Sequence, residues 1–231
     1  MAWRCSGSTN SELISKMAHS GILISERILN AMSKVDRANY VHDKRAAYED
    51  SPQRIGYGAT ISAPHMHAYA VEHLLSHLKD GAKVLDVGSG SGYLVAVLHH
   101  LITSNKRGGK VVGIEHINEL VDWSIENLKK DGLGEALSTK QIEVFAGDGR
   151  QGYASGGPYD AIHVGAAAPT VPEALVEQLA SPGRMFIPVG THTQHIYHVD
   201  KDENGKITKK EIMGVSYVPL TDLEKQRNFP F

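Results

Sequence analysis

The sequence predicts an α/β fold: a doubly wound, mostly parallel sheet with an N-terminal helical extension and an antiparallel C-terminal hairpin. Three observations lead to this prediction. Short apolar segments alternate with helical patterns between residues 83 and 189, as in parallel sheets that are covered by helices on both faces. The first apolar segment runs into alternating glycines, which permit a tight strand-to-helix turn. Two late segments flank Asp-Glu-Asn-Gly, a turn sequence typical of a hairpin.

The first 80 residues are predicted to be mainly helical. Apolar residues recur on one helix face over 13–18, and Ser25 can cap a second helix. A third helix is predicted to begin at Pro64, because proline suits the first turn of a helix. Residues 36–63 lack a regular pattern and are predicted to form a loop, whose length suggests a functional role.

The rest of the chain predicts strands and helices in alternation. The parallel strands are expected over 83–87, 111–115, 142–146, 161–164 and 184–189. The helices between them are expected over 93–102, 119–130 and 171–179. The two hairpin strands are expected over 196–199 and 211–218. We therefore expect a single domain over 1–231, in which residues 1–80 form the helical region and residues 81–231 form the core.

Composition argues against several classes of function. The chain has 24 basic and 26 acidic residues, so it lacks the basic excess that usually marks a nucleic-acid-binding protein. Cys5 is the only cysteine, which fits a reducing compartment. The first residues lack the apolar stretch of a signal peptide, and no run approaches the roughly 20 apolar residues of a membrane span. We expect a cytosolic (cytoplasmic) protein that binds neither nucleic acid nor membrane.

The strongest local signal is the segment Asp-Val-Gly-Ser-Gly-Ser-Gly at 86–92. Its glycines let backbone N–H groups approach a ligand closely at the carboxyl end of a strand. A dinucleotide fingerprint would place its last glycine at position 93, where Tyr93 stands, and no Gly-Lys-Ser/Thr of a phosphate-binding loop follows. A pyrophosphate ligand is therefore disfavoured, although the segment alone leaves it open.

Two acidic residues end the next two predicted strands. Glu115 ends the second strand, where a carboxylate can accept hydrogen bonds from both hydroxyls of a ribose. Asp148 and Gly149 follow the third strand, where they could receive an adenine edge. Each acid alone could equally be a capping or solvated carboxylate. Because three strand ends meet at one edge of the sheet, we predict a binding site there.

Histidines give a weaker signal, because 13 of them make chance pairs common. His73 and His77 have the i, i+4 spacing of helical metal ligands, but they lie opposite the apolar stripe of the third helix and lack an HExxH pattern. We expect them to face solvent and predict no metal site. His163, in the fourth strand, is expected to be an interior histidine with a hydrogen-bond partner.

The glycine segment with its preceding Asp86 resembles motif I of class I S-adenosyl-L-methionine-dependent methyltransferases, a Rossmann-like fold whose sheet also ends in an antiparallel hairpin. Residues 51–68, Ser-Pro-Gln-Arg-Ile-Gly-Tyr-Gly-Ala-Thr-Ile-Ser-Ala-Pro-His-Met-His-Ala, resemble the protein-L-isoaspartate (D-aspartate) O-methyltransferase family. So do residues 159–169 and 215–222, and the likeness runs from residue 11 to residue 226. The chain departs from this family at Gly58, because members usually carry glutamine at or beside that position.

The resemblance implies a protein repair enzyme. Such an enzyme transfers the methyl group of S-adenosyl-L-methionine to the free α-carboxylate of L-isoaspartyl residues in damaged proteins and peptides, giving a methyl ester and S-adenosylhomocysteine. D-aspartyl residues are a second candidate substrate. The resemblance implies that Ser62 is the active-site serine and that residues 1–80 lie on the substrate side. We expect a monomer, because a protein-repair enzyme must admit chain segments into its cleft. The implied cofactor-binding residues are Ala59, Thr60, Ile61, Ser62, His67, Asp86, Gly88, Gly90, Ser91, Glu115, Asp148, Gly149, Thr221 and Gln226.

The chemistry of this reaction suggests a role for Ser62. An α-carboxyl group has a pKa of about 3.3–3.7 and is ionised at neutral pH, so the reaction needs no general base. The Ser62 hydroxyl can donate to one carboxylate oxygen while the other attacks the methyl group. We hypothesise that the carboxylate docks at the start of the Pro64 helix, where free N–H groups attract anions. The alternative is that Ser62 is an ordinary helix N-cap.

Three other functions stay open at this point. A small-molecule methyltransferase would share the glycine segment, and only the segment around Ser62 argues against it. A base-methylating enzyme would require an Asn-Pro-Pro-Tyr-like motif and a basic face, which the sequence lacks. A non-catalytic S-adenosyl-L-methionine-binding module would keep the same pocket residues.

Overall fold

The computed structural model describes residues 5–103 and 108–227. The helices in these ranges are α1 (Asn10–His19), α2 (Glu26–Ser33), α3 (Pro64–Leu74), α4 (Tyr93–Ile102), α5 (Asn118–Lys130), α6 (Gly134–Ser138), α7 (Glu173–Glu177) and α8 (Leu223–Arg227). The strands are β1 (Gln53–Gly56), β2 (Ala59–Ile61), β3 (Lys83–Val87), β4 (Lys110–Glu115), β5 (Ile142–Ala146), β6 (Tyr159–Val164), β7 (Leu179–Val189), β8 (Gln194–Lys201) and β9 (Ile207–Val215).

A seven-stranded sheet in the order β5-β4-β3-β6-β7-β8-β9 organises the molecule. Strands β3 to β7 pair in parallel, whereas β8 and β9 are antiparallel additions at one side. The chain builds outward from β3 to β5 and then returns to place β6 on the other side of β3. The carboxyl ends of β3 and β6 therefore face a topological switch point, where α/β proteins bind ligands. The predicted fold class is confirmed.

Helix α4 connects the glycine segment to the core. Its residues are apolar on nearly every face, and nine of the ten, all except His100, are buried. Full burial of each Val or Leu side chain contributes about 1.5–3 kcal/mol. Because α4 is packed between the sheet strand β4 and helix α2, the turn that precedes it is held firmly in place.

The N-terminal helices are tied to the core by polar contacts as well as by packing. Thr9 caps α1 by accepting from the Glu12 N–H at 3.1 Å. Ser25 occupies the N-cap position of α2, as predicted, but its side chain makes no capping hydrogen bond. Instead, the N–H groups of Ile24 and Ser25 both donate to Glu72 Oε1 at 2.8 Å. Glu72 lies on α3, so this carboxylate links the start of α2 to α3.

The predicted loop over 36–63 is only partly correct, because it contains the antiparallel pair β1 and β2. The two strands are joined by Tyr57 and Gly58, which have φ values of +51° and +70°. Positive φ at both central residues is the signature of a type I′ hairpin turn. The family departure at Gly58 therefore falls at a hairpin tip where glycine is favoured.

Three other boundaries differ from prediction. Helix α7 ends at Glu177, and Leu179, expected in that helix, already begins β7 and pairs beside Tyr159. The last hairpin strand, β9, covers Ile207–Val215 rather than 211–218, so residues 216–218 leave the sheet. Strand β9 forms a free edge of this sheet, along which Lys209, Lys210 and Glu211 are exposed.

The expectation that His73 faces solvent is wrong. Helix α3 lies against β7, and the His73 ring packs 5.7 Å from the Phe186 ring and 4.7 Å from the His198 ring. Burial lowers the pKa of His73. In the residues that the structure describes, no group of three or more His, Cys, Asp or Glu side chains could hold a metal ion. Over the same residues, no helix combines the length and apolarity required to cross a bilayer.

Candidate active site

The glycine segment forms an open turn between β3 and α4. Gly88, Gly90 and Gly92 have φ values of +74°, +51° and +83°, a region that side chains other than glycine rarely occupy. The Gly88 N–H donates to the Ile114 carbonyl of β4 at 2.8 Å. A Cβ on Gly90 would lie 3.0 Å from Ile55 Cδ1. The β1–β2 hairpin thus closes directly against the turn.

Glu115 ends β4 beside this turn. Its Oε2 accepts from the Gly90 N–H at 3.2 Å, and its Oε1 accepts from the Ile117 N–H at 3.1 Å. The residue is only 6% exposed. Burial raises the pKa of Glu115, and the Ile117 N–H and other nearby donors oppose this rise. Each oxygen has a further lone pair, so the carboxylate can accept from two hydroxyls of a ligand.

Asp86 and His163 lie side by side where β3 and β6 pair. Asp86 Oδ1 and His163 Nδ1 are 2.7 Å apart, and both residues are buried. The prediction that His163 is an interior histidine with a partner is confirmed. A buried carboxylate needs such a partner, so His163 fixes Asp86 beside the glycine turn.

Asp148 and Gly149 follow β5 at the same rim. The Arg150 guanidinium contacts Asp148 at 2.7 Å and Asp222 at 2.8 Å, and the hydrogen bond from Arg150 lowers the pKa of Asp148. A Cβ on Gly149 would lie 2.5 Å from Val87 Cγ1, so only glycine fits there. The Asp148 carboxylate is therefore already engaged by a cation of the chain.

Ser62 lies between β2 and α3 and is not the N-cap of that helix. The cap position belongs to Ala63. Among the first helical residues, Pro64 has no N–H, the His65 N–H donates to Asp50 Oδ1 at 3.0 Å, and the Met66 N–H donates to the Ala63 carbonyl at 2.9 Å. The hypothesis that free N–H groups at this helix start attract the carboxylate is therefore wrong, because Asp50 already occupies the position.

Three cavities meet at Thr60, which lines all of them. The largest is a groove of about 650 Å³ that runs between residues 50–66 and residues 213–226. Two smaller cavities, of about 50 and 30 Å³, lie on either side of Gly88 and Gly90. Ser62 lines both the groove and the 30 Å³ cavity. A donor at the glycine turn and an acceptor in the groove would therefore meet at Ser62.

The structure brings all fourteen predicted site residues to these cavities. The 50 Å³ cavity is lined by Ala59, Thr60, Gly88, Gly90, Glu115, Asp148, Gly149, Thr221 and Gln226. The 30 Å³ cavity is lined by Thr60, Ile61, Ser62, His67, Asp86, Gly88, Gly90 and Ser91. The predicted residues thus form one continuous site, although the sequence distributes them over some 170 positions.

Gln226 links the C-terminal helix α8 to the rest of the site. Its Oε1 lies 2.7 Å from His116 Nε2, which follows β4. Its Nε2 donates to the carbonyl of Tyr57 at 3.0 Å, at the tip of the β1–β2 hairpin. Contacts between distant parts of the chain thus hold Gln226 at the border of the 50 Å³ cavity.

Sequence reasoning missed several residues that shape the site. The Asn127 Nδ2 donates to the Ser91 carbonyl at 3.1 Å. Burial raises the pKa of Tyr217 to about 12, and a hydrogen bond with the Ser62 side chain opposes this rise. A signal for Asn127 exists, because it is a polar residue on the apolar face of α5. Tyr217 lies beyond the last strand, where no periodicity marks it.

The residues around the glycine turn fit S-adenosyl-L-methionine. The Glu115 carboxylate has free lone pairs for the ribose hydroxyls, and its role there stays a prediction. The 30 Å³ cavity is lined by three buried polar atoms that have no partner among the described residues, Ser89 Oγ, His67 Nδ1 and the Tyr93 hydroxyl. Buried polar atoms normally have partners, so these three suit the polar methionine end of the cofactor. Fold and site together define a class I, S-adenosyl-L-methionine-dependent methyltransferase.

Comparisons with known proteins agree with this class and narrow it. The family model described as protein-L-isoaspartate(D-aspartate) O-methyltransferase matches residues 8–225. A protein-L-isoaspartate O-methyltransferase of Caenorhabditis elegans is 51% identical over 230 residues, which cover 99% of each chain. Protein-L-isoaspartate O-methyltransferase 1 of Arabidopsis thaliana is 46% identical and covers 94% of this chain and 93% of its own. The chain belongs to the protein-L-isoaspartate(D-aspartate) O-methyltransferase family.

A solved structure supports the same assignment. A Plasmodium falciparum structure described under the same enzyme name is in complex with S-adenosyl-L-homocysteine, and it superposes with a TM-score of 0.86. It is 35% identical and covers 93% of this chain and 99% of its own. S-adenosyl-L-methionine is accordingly the methyl donor of the present chain.

Proposed function

We propose that this protein methylates the free α-carboxylate of L-isoaspartyl residues, and of D-aspartyl residues, in damaged proteins and peptides. The products are a methyl ester and S-adenosylhomocysteine. The observation that carries the proposal is the position of Ser62, which lines both the open groove and the cavity beside the glycine turn. The names of the protein's relatives point to L-isoaspartyl residues as the substrate.

The residues of the chain position and desolvate the acceptor. When bound, S-adenosyl-L-methionine supplies an electrophilic methyl group whose bond to sulfur breaks as the carboxylate oxygen attacks. Ser62 donates to one carboxylate oxygen and leaves the other free to attack. Tyr217 stays protonated at neutral pH, because burial raises its pKa to about 12, and it supports the Ser62 hydroxyl. Fixing the approach of an acceptor in this way can lower a barrier by up to about 7–11 kcal/mol.

The proposed cofactor site divides into two parts. Glu115 receives the ribose hydroxyls, and Asp148 with Gly149 lies beside the adenine. Thr221 and Gln226 close over this part from the C-terminal side. The methionine end lies toward the second group of residues, Thr60, Ile61, Ser62, His67, Asp86, Gly88, Gly90 and Ser91, and Ala59 borders the ribose part.

A pair of peptides tests the proposal. Two peptides that differ only in an aspartyl or isoaspartyl linkage are incubated with the protein and labelled S-adenosyl-L-methionine. We expect a base-labile methyl ester on the isoaspartyl peptide alone. Ester on neither peptide, with the donor still bound, would contradict the proposal and favour a non-catalytic module.

Ser62→Ala tests the assigned role. Loss of a hydrogen bond to a charged group corresponds to about 1.5–3 kcal/mol, so turnover should fall by roughly 10- to 100-fold while donor affinity changes little. Ser25→Ala is the matched control, since the Ser25 side chain makes no capping bond. Equal losses of turnover and donor affinity in the Ser62 variant would refute the role.

We further propose that residues 1–231 act as one methyltransferase domain, monomeric and cytosolic, with residues 1–80 on the substrate side. The groove supports this arrangement, because one wall comes from residues 50–66 and the other from residues 213–226. A groove that admits segments of other proteins is best left uncovered by a second copy. Light scattering on the purified protein should give the mass of one chain, and a dimer mass would contradict the proposal.

A further inference from the structure

Arg37 is a buried cation behind the substrate groove that the proposed reaction has not yet used. The residue is 0% exposed. Asp36 accepts from the Ala38 N–H at 3.0 Å and starts the short 3-10 turn Arg37–Tyr40. This turn directs the Arg37 side chain inward, where a charged group is costly to bury.

The guanidinium holds the two ends of the hairpin segment that carries the site. One terminal nitrogen donates to the Ser62 carbonyl at 2.9 Å and to the Ser51 carbonyl at 3.4 Å. Ser51 precedes β1 and Ser62 follows β2, so a single side chain joins both ends of the hairpin. The guanidinium carbon also lies 5.5 Å from the centre of the Tyr93 ring, within the range of a cation–π contact.

The charge on Arg37 is incompletely satisfied. Its Nε and its other terminal nitrogen have no hydrogen-bond partner in the described part of the chain. Burial lowers the pKa of Arg37 to about 10, whereas Tyr93 and Asp50 oppose this lowering, so the side chain is a cation at neutral pH. Asp50 acts on this cation through its charge and not through a hydrogen bond, because its Oδ1 accepts from the N–H and the ring of His65 and its Oδ2 has no partner among the described residues.

The groove offers an anionic acceptor few other sources of positive charge. The described residues that line it include no Lys and no Arg, and they include the carboxylate of Asp50, which opposes the entry of an anion. The N–H groups at the start of α3 are already used by Asp50 and Ala63. A cation that touches the Ser62 backbone is therefore well placed to attract a carboxylate without an ion pair.

We propose that Arg37 is a positioning residue that fixes Ser62 and gives the groove its preference for an anionic acceptor. The inference rests on the proposed function. Arg37 acts through the Ser62 backbone and through its field, and it need not touch the substrate. The clamp requires a terminal nitrogen at the reach of the guanidinium, placed between the two carbonyls, whereas the field requires only a positive charge. The two contributions can therefore be separated.

The experiment compares two peptides that differ in one group. The first carries an isoaspartyl residue with a free α-carboxylate, and the second carries the same residue as the neutral α-carboxamide. The affinity ratio between them measures the preference for an anion. Arg37→Met should reduce this ratio about tenfold, which corresponds to roughly 1.4 kcal/mol of lost attraction. Arg37→Lys should keep the ratio and still lower kcat, because the shorter lysine side chain carries no planar group that would hold its nitrogen between both carbonyls and over the Tyr93 ring.

The outcomes are distinguishable from one another. A merely structural role of Arg37 would weaken the binding of both peptides equally, and that result would overturn the inference. An unchanged affinity ratio in Arg37→Met would overturn it as well. If the Met variant does not fold, the Lys variant decides alone: its ratio must stay within about threefold of wild type while kcat falls. Arg27→Met is the matched control, because Arg27 also donates to two carbonyls, those of Leu78 and Leu101. Failure of the wild-type protein to methylate isoaspartyl peptide would sink the proposed function instead.

Discussion

Replacing Glu115 by glutamine tests the cofactor site at its most buried acid. The substitution keeps the shape of the side chain but exchanges one carboxylate oxygen for an NH₂ group. The carboxylate now accepts from the Gly90 N–H at 3.2 Å and from the Ile117 N–H at 3.1 Å, and the new NH₂ group would face one of these two donors. The variant also loses the charge that strengthens hydrogen bonds from ribose hydroxyls.

The expected loss of donor affinity follows from these contacts. Hydrogen bonds to an ionised group are roughly twice as strong as neutral ones, so two weakened hydroxyl contacts amount to about 2 kcal/mol. This corresponds to roughly thirtyfold weaker binding. Calorimetric titration of Glu115→Gln with S-adenosyl-L-methionine measures it, with Glu126→Gln on the exposed face of α5 as control. Binding within threefold of wild type would refute the assignment.

The pH dependence provides a second measurement on the same variant. Burial raises the pKa of Glu115 above its usual 4.5. A folded-state pKa above the unfolded value means that the stability from this group is full below the unfolded pKa and is lost as pH rises through the folded pKa. Relative to wild type, the Gln variant without bound S-adenosyl-L-methionine should therefore gain stability as pH rises above 4.5, the usual pKa of the group. A difference that stays constant with pH would contradict the burial argument.

Two further variants test the walls of the site. Gly90→Ala forces a side chain into a φ of +51° with its Cβ 3.0 Å from Ile55 Cδ1, so denaturant unfolding should show a loss of about 1–2 kcal/mol of stability. The control is Gly134→Ala, where a Cβ would meet nothing within 4 Å. Equal effects of the two substitutions would refute the argument. Gln226→Ala removes the hydrogen bonds to His116 and to the Tyr57 carbonyl, each of which contributes about 1 kcal/mol. Release of S-adenosylhomocysteine, measured by stopped flow, should therefore be several-fold faster. An unchanged rate would mean that α8 does not hold the product.

The central strands could be predicted because their signals are local. Strands β3, β4 and β6 are largely buried on both faces and are mainly apolar, with few polar positions such as Asp86 and His163. The glycines at 88–92 end the first run and mark the turn. The same reasoning missed β1 and β2, which have four and three residues. Strands so short show too few positions for a period of two, and each pairs only with the other.

The sequence predicted which residues line the cavities of the candidate site, but not how these residues bond to one another. Those residues follow from the family resemblance, and they do meet at one set of cavities. The sequence does not show that Asp148 forms an ion pair with Arg150, or that Asp50 accepts from an N–H group at the start of α3. Asp50 lies 15 residues before the N–H that it accepts. A contact between segments joined by a hairpin has no periodic signature, so the hypothesis about the free helix start failed for that reason.

The charged edge strand β9 has a consequence for a protein that handles damaged chains. Partly unfolded proteins expose loose strands, and an unprotected sheet edge is a template on which such strands add and aggregate. Exposed Lys209, Lys210 and Glu211 along β9 oppose that addition by keeping their charges hydrated. Damaged polypeptides therefore do not pair with this edge of the sheet and can dissociate after methylation. Each enzyme molecule then remains available for the next substrate.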